Sequence, residues 1–227
     1  SSTNTLTYSY NIQNWLTGIS STKFTQTLGY ASHYNGNISS MSWNANGTSH
    51  SYTFTYDGVN RMLNATHGTG AYTEKVTLYD KNGNIKALQR YGNVLIDNLT
   101  YTYSGNQLTK VEDATGNAAG FSNGASAANE YTYDNNGNLT KDSNKGITNI
   151  TYNCLNLPSK VTFGDGSTIT YSYAADGTKL RTVHVINGAT TQKDYCANVV
   201  YENGVQKLLL SHIPQKSIFL LSMPVGL

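Results

Sequence analysis

The sequence predicts an all-β protein made of repeated antiparallel β-hairpins, which form a long, twisted and spiralling sheet. Three observations indicate this fold class: few helix formers, strand segments in which Tyr alternates with Thr, and turn segments rich in Gly and Asn. The chain has 227 residues, of which 18 are Tyr and 21 are Gly. Aromatic and β-branched residues favour strands, whereas Gly and Asn favour turns. We therefore expect short strands and tight turns throughout.

The clearest copy of the repeating unit is residues 130–140, with the sequence EYTYDNNGNLT. Tyr131 and Tyr133 are two residues apart, so they project from the same face of a strand. Asp134 can cap the following turn through its carboxylate, and Gly137 supplies the left-handed backbone that a tight hairpin needs. The pattern predicts a strand, a turn and a returning strand.

This unit recurs nine times when each copy is aligned on the Tyr that ends its first strand. The intervals range from 19 residues (Tyr133 to Tyr152) to 30 residues (Tyr103 to Tyr133). Propeller blades need about 40 residues each, so these intervals favour stacked hairpins instead. The nine anchors are Tyr10, Tyr34, Tyr56, Tyr79, Tyr103, Tyr133, Tyr152, Tyr173 and Tyr201.

The repeats predict a hairpin array over residues 1–210. One long interruption, Asp113–Asn129, is rich in Ala, Gly, Ser and Asn, and we expect it to be a flexible excursion. Residues 211–227 contain no copy of the repeat. This tail either caps the last hairpin or is disordered.

The pattern Tyr-x-Tyr-Asp-x-x-Gly-Asn-Leu resembles that of the Rhs/YD-repeat family of bacterial cell-surface and secreted proteins. Five of the nine copies lack the Asp, so the pattern is degenerate, but it covers nearly the whole chain. The residues that carry the repeat are Tyr56, Asp57, Tyr79, Asp80, Gly83, Tyr133, Asp134, Gly137 and Tyr173.

The resemblance implies a spiral of β-hairpins, which in long family members winds into a hollow shell. For 227 residues we expect an open, partial shell: a noncatalytic structural and interaction module of an exported bacterial protein. The family's location implies that the protein is secreted or on the cell surface. Open sheet edges would pair with further repeats or with another copy of the chain, which would give a homo-oligomer.

The repeated turn aspartates are better explained by turn capping than by acid–base catalysis, so we predict no enzymatic activity and no cofactor. A calcium site is a second interpretation, because two turns carry oxygen ligands at alternate positions, although neither has a closing acidic residue. The candidate calcium ligands are Asp80, Asn82, Asn84, Asp134, Asn136 and Asn138.

The aromatic residues allow an alternative function, a carbohydrate-binding surface module. Aromatic faces stack on sugar rings, and Trp15 and Trp43 are the candidate ligand-binding residues for surface glycans. The competing interpretation is that Tyr and Trp supply the core of a Leu-poor sheet. Their placement at every second position in strands favours that interpretation.

Several other classes of function are not supported. The net charge is +2 without a basic block, which argues against nucleic acid, and no apolar run of eighteen residues predicts a membrane-spanning helix. Cys154 and Cys196 either pair or are small, half-buried strand residues. The histidines are dispersed along the sequence, without the spacing of metal ligands. They are His33, His50, His67, His184 and His212.

Overall fold

The computed structural model describes residues 5–31 and 33–209, and these residues contain strands, turns and bends but no helix. Nineteen β-strands occur in this part of the chain. They are β1 (Thr7–Tyr10), β2 (Leu16–Ser20), β3 (Phe24–Gly29), β4 (Ser40–Ala45), β5 (Thr48–Tyr56), β6 (Met62–His67), β7 (Glu74–Tyr79), β8 (Ile85–Tyr91), β9 (Leu95–Ser104), β10 (Gln107–Asp113), β11 (Tyr131–Tyr133), β12 (Leu139–Asp142), β13 (Ile147–Tyr152), β14 (Pro158–Phe163), β15 (Thr168–Tyr173), β16 (Lys179–Ile186), β17 (Ala189–Cys196), β18 (Val199–Glu202) and β19 (Val205–Leu209).

The strands form two sheets whose order follows the sequence, β1 to β10 in one and β11 to β19 in the other. Strands next to each other in the chain pair antiparallel, as in β5 with β6 and β15 with β16. The predicted fold class, repeated antiparallel hairpins in an open sheet, is confirmed.

Two compact units divide the chain. The first contains Ser1–Thr102 and Glu112–Phe121, and the second contains Tyr103–Val111 and Ser122–Leu227. The tip of the β9–β10 hairpin therefore belongs to the second unit, although most of β9 belongs to the first. The predicted array and tail, residues 1–210 and 211–227, remain predictions because the tail lies outside the described residues.

The turn after Tyr133 has the geometry that its sequence predicts. The Asp134 amide donates to the Asn138 carbonyl at 2.9 Å, and the Gly137 amide donates to the Asp134 carbonyl at 3.0 Å. Gly137 has a φ of 83°, which is the left-handed region. The strand register shifts by one residue between Thr132 and Tyr133, so this turn adds a bulge to the hairpin.

The same backbone pattern occurs in turns whose sequences look different. Asn153 replaces the Asp and Asn156 replaces the Gly in the turn after Tyr152, and Asn156 has a φ of 62°. Asn tolerates the left-handed region better than other residues with a side chain. The residues at this left-handed position are Asn14, Asn60, Gly83, Gly137, Asn156, Gly166 and Gly177.

Three of the predicted anchors do not end a strand, and one of them, Tyr103, lies in β9 one residue before its end. Tyr34 lies outside the strands, in the connection between β3 and β4, and its side chain is 95% exposed. Tyr201 lies within β18, one residue before its end, and the Glu202–Val205 turn connects β18 to β19. The spacing of the tyrosines could not distinguish these positions, because they occur at similar intervals.

The most buried apolar side chains are aliphatic, and no Tyr is among them. The expectation that Tyr supplies much of the buried area is therefore only partly met, since every tyrosine is half-buried or exposed. A Tyr hydroxyl that reaches solvent or a nearby acceptor avoids the cost of burying an unpaired donor. The buried apolar residues are Ala65, Val76, Leu88, Leu99, Val111, Ile150 and Val161.

The segment predicted as a flexible excursion is instead held by specific hydrogen bonds. In the first unit, the Phe121 amide donates to Asp97, a fully buried carboxylate that also pairs with Arg90 at 2.6 Å. In the second unit, the Ala125 amide donates to the Asn144 side-chain oxygen at 3.0 Å, and the Asn144 side chain donates in turn to the fully buried Glu130 at 2.7 Å. Composition alone could not show these long-range contacts.

Candidate functional site

The tyrosine hydroxyls form the most regular polar contact in the molecule. Tyr79 donates to the Met62 carbonyl at 2.6 Å, and Met62 is the strand partner of Tyr56 in the preceding hairpin. Tyr152 donates in the same way to Leu139, the strand partner of Tyr133, at 2.8 Å. Each of these hydroxyls therefore ties the end of one hairpin to the hairpin before it.

We call this set of contacts the tyrosine ladder. Four further tyrosines donate to a carbonyl 14 to 25 residues earlier in the chain. They are Tyr30 to Leu16 at 2.8 Å, Tyr56 to Ile38 at 2.8 Å, Tyr133 to Leu108 at 2.9 Å and Tyr173 to Pro158 at 3.0 Å. The ladder includes Tyr30, which directly follows β3 and which the predicted repeat did not use as an anchor.

Partial burial raises the pKa of the ladder tyrosines, as for Tyr56 and Tyr152. Desolvation disfavours the charged phenolate, so the hydroxyl stays a donor well above neutral pH. The ladder therefore requires no particular pH within the physiological range. Its chemistry is that of structural hydrogen bonding.

The Asp carboxylates in the turns accept hydrogen bonds from other residues of the same turns. Asp134 Oδ1 accepts hydrogen bonds from the amides of Asn136 and Asn138 at 2.9 Å, and Oδ2 accepts from the Asn138 side chain at 3.0 Å. The Asn138 side chain and amide hydrogen bonds lower the pKa of Asp134. The same three contacts surround Asp80, and the Asn84 side chain leads the causes that lower its pKa.

These contacts bear on the calcium hypothesis. Asn84 and Asn138 direct their side-chain N–H groups, rather than their oxygens, toward the carboxylates. A cation at either turn would have to replace these hydrogen bonds. Among residues 5–31 and 33–209, no three side chains of His, Cys, Asp or Glu come together as a metal-binding group. The calcium ligands remain a sequence prediction.

The two tryptophans lie in separate places within the first unit, and each packs against aromatic neighbours. The ring centroids of Trp15 and Tyr30 are 5.1 Å apart, and a Cβ added at Gly36 would lie 3.4 Å from the indole. Trp43 stacks on His50 at 5.0 Å and on Tyr52 at 6.0 Å. Both indoles are half-buried. The proposed sugar-binding residues therefore also serve as packing residues of the sheet.

Trp43 belongs to an aromatic cluster that the sequence did not reveal. Tyr52 stacks on Phe54 and contacts His67 edge to face at 5.0 Å, and His67 contacts Tyr72 in the same manner at 5.7 Å. Five members of this cluster lie on one face of β4, β5 and β6, because Trp43 pairs with His50 and Tyr52 pairs with His67, and Tyr72 lies in the connection between β6 and β7. The members of this aromatic cluster are Trp43, His50, Tyr52, Phe54, His67 and Tyr72.

Two of the histidines, although dispersed in the sequence, lie close together in the structure. His50 and His67 are 17 positions apart in the sequence, but the β5–β6 hairpin brings their ring centroids to 5.7 Å. Both rings line a shallow depression together with Ser49, Ser51 and Thr69. The signal that could have found this pair is the hairpin register, since a turn centred near residue 59 aligns the segments 50–52 and 67–69.

The cysteines do not pair: Cys154 and Cys196 are both free thiols and both are exposed. Cys154 lies in the turn after β13, and Cys196 ends β17. Neither of the alternatives raised by the sequence, a disulfide or half-buried strand positions, describes them. No helix in the described part of the chain is long and apolar enough to cross a membrane.

Comparison with known proteins gives a loose structural likeness. No protein-family model matches the chain, and no curated protein matches it. The crystal structure of TcdB2-TccC3 without hypervariable C-terminal region is similar, with a TM-score of 0.49 and 13% identity over 87% of this chain. The TcdB2-TccC3-TEV structure gives 0.44 and 12% over 89%, and TcdB2-TccC3-Cdc42 gives 0.43 and 14% over 88%.

This chain spans only a small part of those proteins, 11% of the first and 15% of the other two. At these values the likeness is loose, and it does not assign the chain to a family.

Proposed function

We propose that this chain is a noncatalytic structural and interaction module, a partial β-shell scaffold of an exported bacterial protein of the Rhs/YD-repeat type. The observation that carries the proposal is the tyrosine ladder, in which six hydroxyls each tie a hairpin to earlier backbone. The carboxylates of Asp80 and Asp134 are likewise used to close turns. These Tyr hydroxyls and Asp carboxylates thus serve to hold the hairpin array together.

The interaction part of this proposal concerns the outer strands. β1 and β19 are each the last strand of their sheet among the described residues, and an outer strand presents unpaired backbone donors and acceptors. On β19, Val205 is 59% exposed and Leu208 is 48% exposed. Apolar side chains on an outer strand favour pairing with another strand, so we propose that β19 adds a strand from a further repeat or from a second copy.

Sedimentation velocity over a wide range of concentrations tests the pairing of β19. We expect the native chain to self-associate reversibly, and we expect Val205→Lys combined with Leu208→Lys to abolish the association, because charges on an outer strand oppose pairing. Ile186→Lys is the matched control, since Ile186 is 53% exposed on β16, which has neighbours on both sides. A native chain that stays monomeric, or a double variant that associates like the native chain, would contradict the proposal.

The carbohydrate-binding alternative remains a sequence prediction. The stacking of Trp43 on His50 and Tyr52 and the packing of Trp15 on Tyr30 occupy part of both indole surfaces. A glycan array with the native chain, Trp15→Ala and Trp43→Ala distinguishes the two functions. A secreted or cell-surface location is part of the proposal and follows from the resemblance of the repeat.

A further inference from the structure

The two outer strands differ in charge, and this difference bears on which strands can pair. β19 carries one charged residue, Lys207, at its centre, whereas β1 carries none. Two copies of β19 that pair antiparallel along all five residues of the strand place Lys207 opposite Lys207. Like charges that face each other directly across a strand pair are destabilising. The sequence of β19 therefore disfavours the pairing of this strand with itself.

β1 offers Lys207 a more favourable neighbour. Tyr10 at the end of β1 is 59% exposed, and the face of a Tyr ring attracts a lysine ammonium group. The chain already contains such a contact between neighbouring strands, because the Lys179 ammonium of β16 lies 5.2 Å from the ring centroid of Tyr195 in β17. An uncharged strand that carries exposed Tyr is therefore a suitable partner for β19.

Strand direction and exposure also allow this pairing. β18 and β19 pair antiparallel, as do β1 and β2, so a β1 strand placed antiparallel beside β19 continues the alternation of the sheet. Among residues 5–31 and 33–209, β1 pairs only with β2, and β19 pairs only with β18. Leu6, next to β1, is 46% exposed and Leu208 on β19 is 48% exposed, so pairing would cover apolar surface on both strands.

We infer that β19 of one copy pairs antiparallel with β1 of a second copy, so that the chain associates with itself head to tail. The inference rests on the proposed function, in which β19 adds a strand, and it goes further by naming that strand. A head-to-tail contact joins two different surfaces of the molecule. Each surface can therefore be blocked separately, and a copy with one blocked surface still offers the other.

Sedimentation velocity with two double variants tests the pairing of β1 with β19. Thr7→Lys combined with Ser9→Lys blocks β1, because both positions are exposed and charges on an outer strand oppose pairing. Val205→Lys combined with Leu208→Lys blocks β19. We expect each double variant alone to be a monomer at concentrations at which the native chain associates. An equimolar mixture should form a one-to-one complex, because it supplies one native β1 and one native β19.

The control and the possible outcomes separate this inference from the proposed function. Thr25→Lys combined with Thr27→Lys adds two charges at exposed positions of β3, which has neighbours on both sides, and this variant should associate like the native chain. Association of the β1 variant by itself, as strong as that of the native chain, would overturn the head-to-tail pairing and leave the pairing of β19 with another strand intact. A native chain that stays monomeric would overturn both.

Amide hydrogen exchange of the native chain tests the same pairing without any substitution. We expect amides of both β1 and β19 to exchange more slowly at a concentration that favours association than in dilute solution, because pairing gives their outward-facing amides a partner. β3, which has neighbours on both sides, is the internal control and should exchange at the same rate in both conditions. Slower exchange in β19 with unchanged exchange in β1 would overturn the inference.

Discussion

At the residue scale, the turn positions show how different sequences give the same geometry. Asn11 and Asn153 accept the same two amide hydrogen bonds through Oδ1 as Asp80 and Asp134. A side-chain oxygen that accepts hydrogen bonds from the two amides is therefore sufficient to close the turn. The turn does not require the negative charge of an Asp. This explains why several copies lack the Asp and still form the hairpin.

The charge does make these turns sensitive to pH. Hydrogen bonds, first of all from Asn84 and Asn138, lower the pKa values of Asp80 and Asp134 in the folded chain. A carboxylate whose folded pKa is lowered adds stability above its unfolded pKa of about 3.9, and that stability is lost as the pH falls through the lowered value. We expect Asp80→Asn combined with Asp134→Asn to flatten the decline in melting temperature below about pH 4.

Melting curves by circular dichroism at several pH values check this expectation. At neutral pH the double variant should melt close to the native chain, because Asn already serves at two equivalent turns. Glu74→Gln, in strand β7 and outside these turns, is the control. Acid sensitivity that is the same in the native chain and the double variant would contradict the role given to the turn carboxylates.

At the scale of elements, the connection between β10 and β11 shows that a Gly-rich segment need not be loose. A Cβ on Gly120 would clash with the Asp97 carboxylate and with the Ile96 carbonyl. Asp97 is fully buried and bound to Arg90, so it cannot move aside without losing that pair. Glycine at this position lets the backbone approach β9 closely enough for the Phe121 amide to reach Asp97.

This close approach predicts that substitution by Ala has different effects on stability at two glycines, neither of which has a positive φ. Gly120→Ala should lower the free energy of unfolding by about 2 kcal/mol, because nothing around the new methyl group can give way. Gly58→Ala has no atom within 4 Å of the new Cβ, so we expect it to be neutral or to stabilise by about 0.5 kcal/mol. Urea denaturation measures both, and equal stability of the two variants would contradict the account of Gly120.

At the scale of the whole molecule, stability should be organised by neighbouring hairpins. Both sheets follow the order of the sequence, and the six contacts of the tyrosine ladder each tie a hairpin to earlier backbone. Such a chain resembles other repeat proteins, in which the stability is a sum of terms for each unit and for its nearest neighbours. A lost ladder contact should therefore act locally.

Tyr152→Phe tests this organisation, because it removes only the hydroxyl that donates to Leu139. We expect a loss of about 1 kcal/mol, the usual contribution of one hydrogen bond, and faster amide exchange in β11 to β14 than in the first unit. Tyr34→Phe is the control, since Tyr34 is exposed and lies outside the strands. Hydrogen exchange by mass spectrometry measures the exchange rates of both variants. Faster exchange in Tyr152→Phe that is spread evenly over β1 to β19 would rule out local coupling.

The hairpin unit could be predicted because its causes are close together in the sequence. Tyr133, Asp134 and Gly137 fall within five positions, and each has a local preference for a strand end, a capped turn or a left-handed backbone. The residues that hold the hairpins to each other are 13 to 25 positions apart, as for Tyr152 with Leu139 and Tyr133 with Leu108. The general need of a Tyr hydroxyl for a partner was foreseeable, but the identity of that partner was not.

By itself, the sequence determined that this protein is all-β, where six of its strands end, and how the turns after them close, because these properties depend on neighbouring residues. Only the tertiary structure decided that Tyr30 belongs to the ladder, that Asp97 holds Phe121, and that His50 meets His67. The physical reason is strand register. A shift of one residue turns every side chain to the opposite face of the sheet, so contacts between strands cannot be derived from spacing alone.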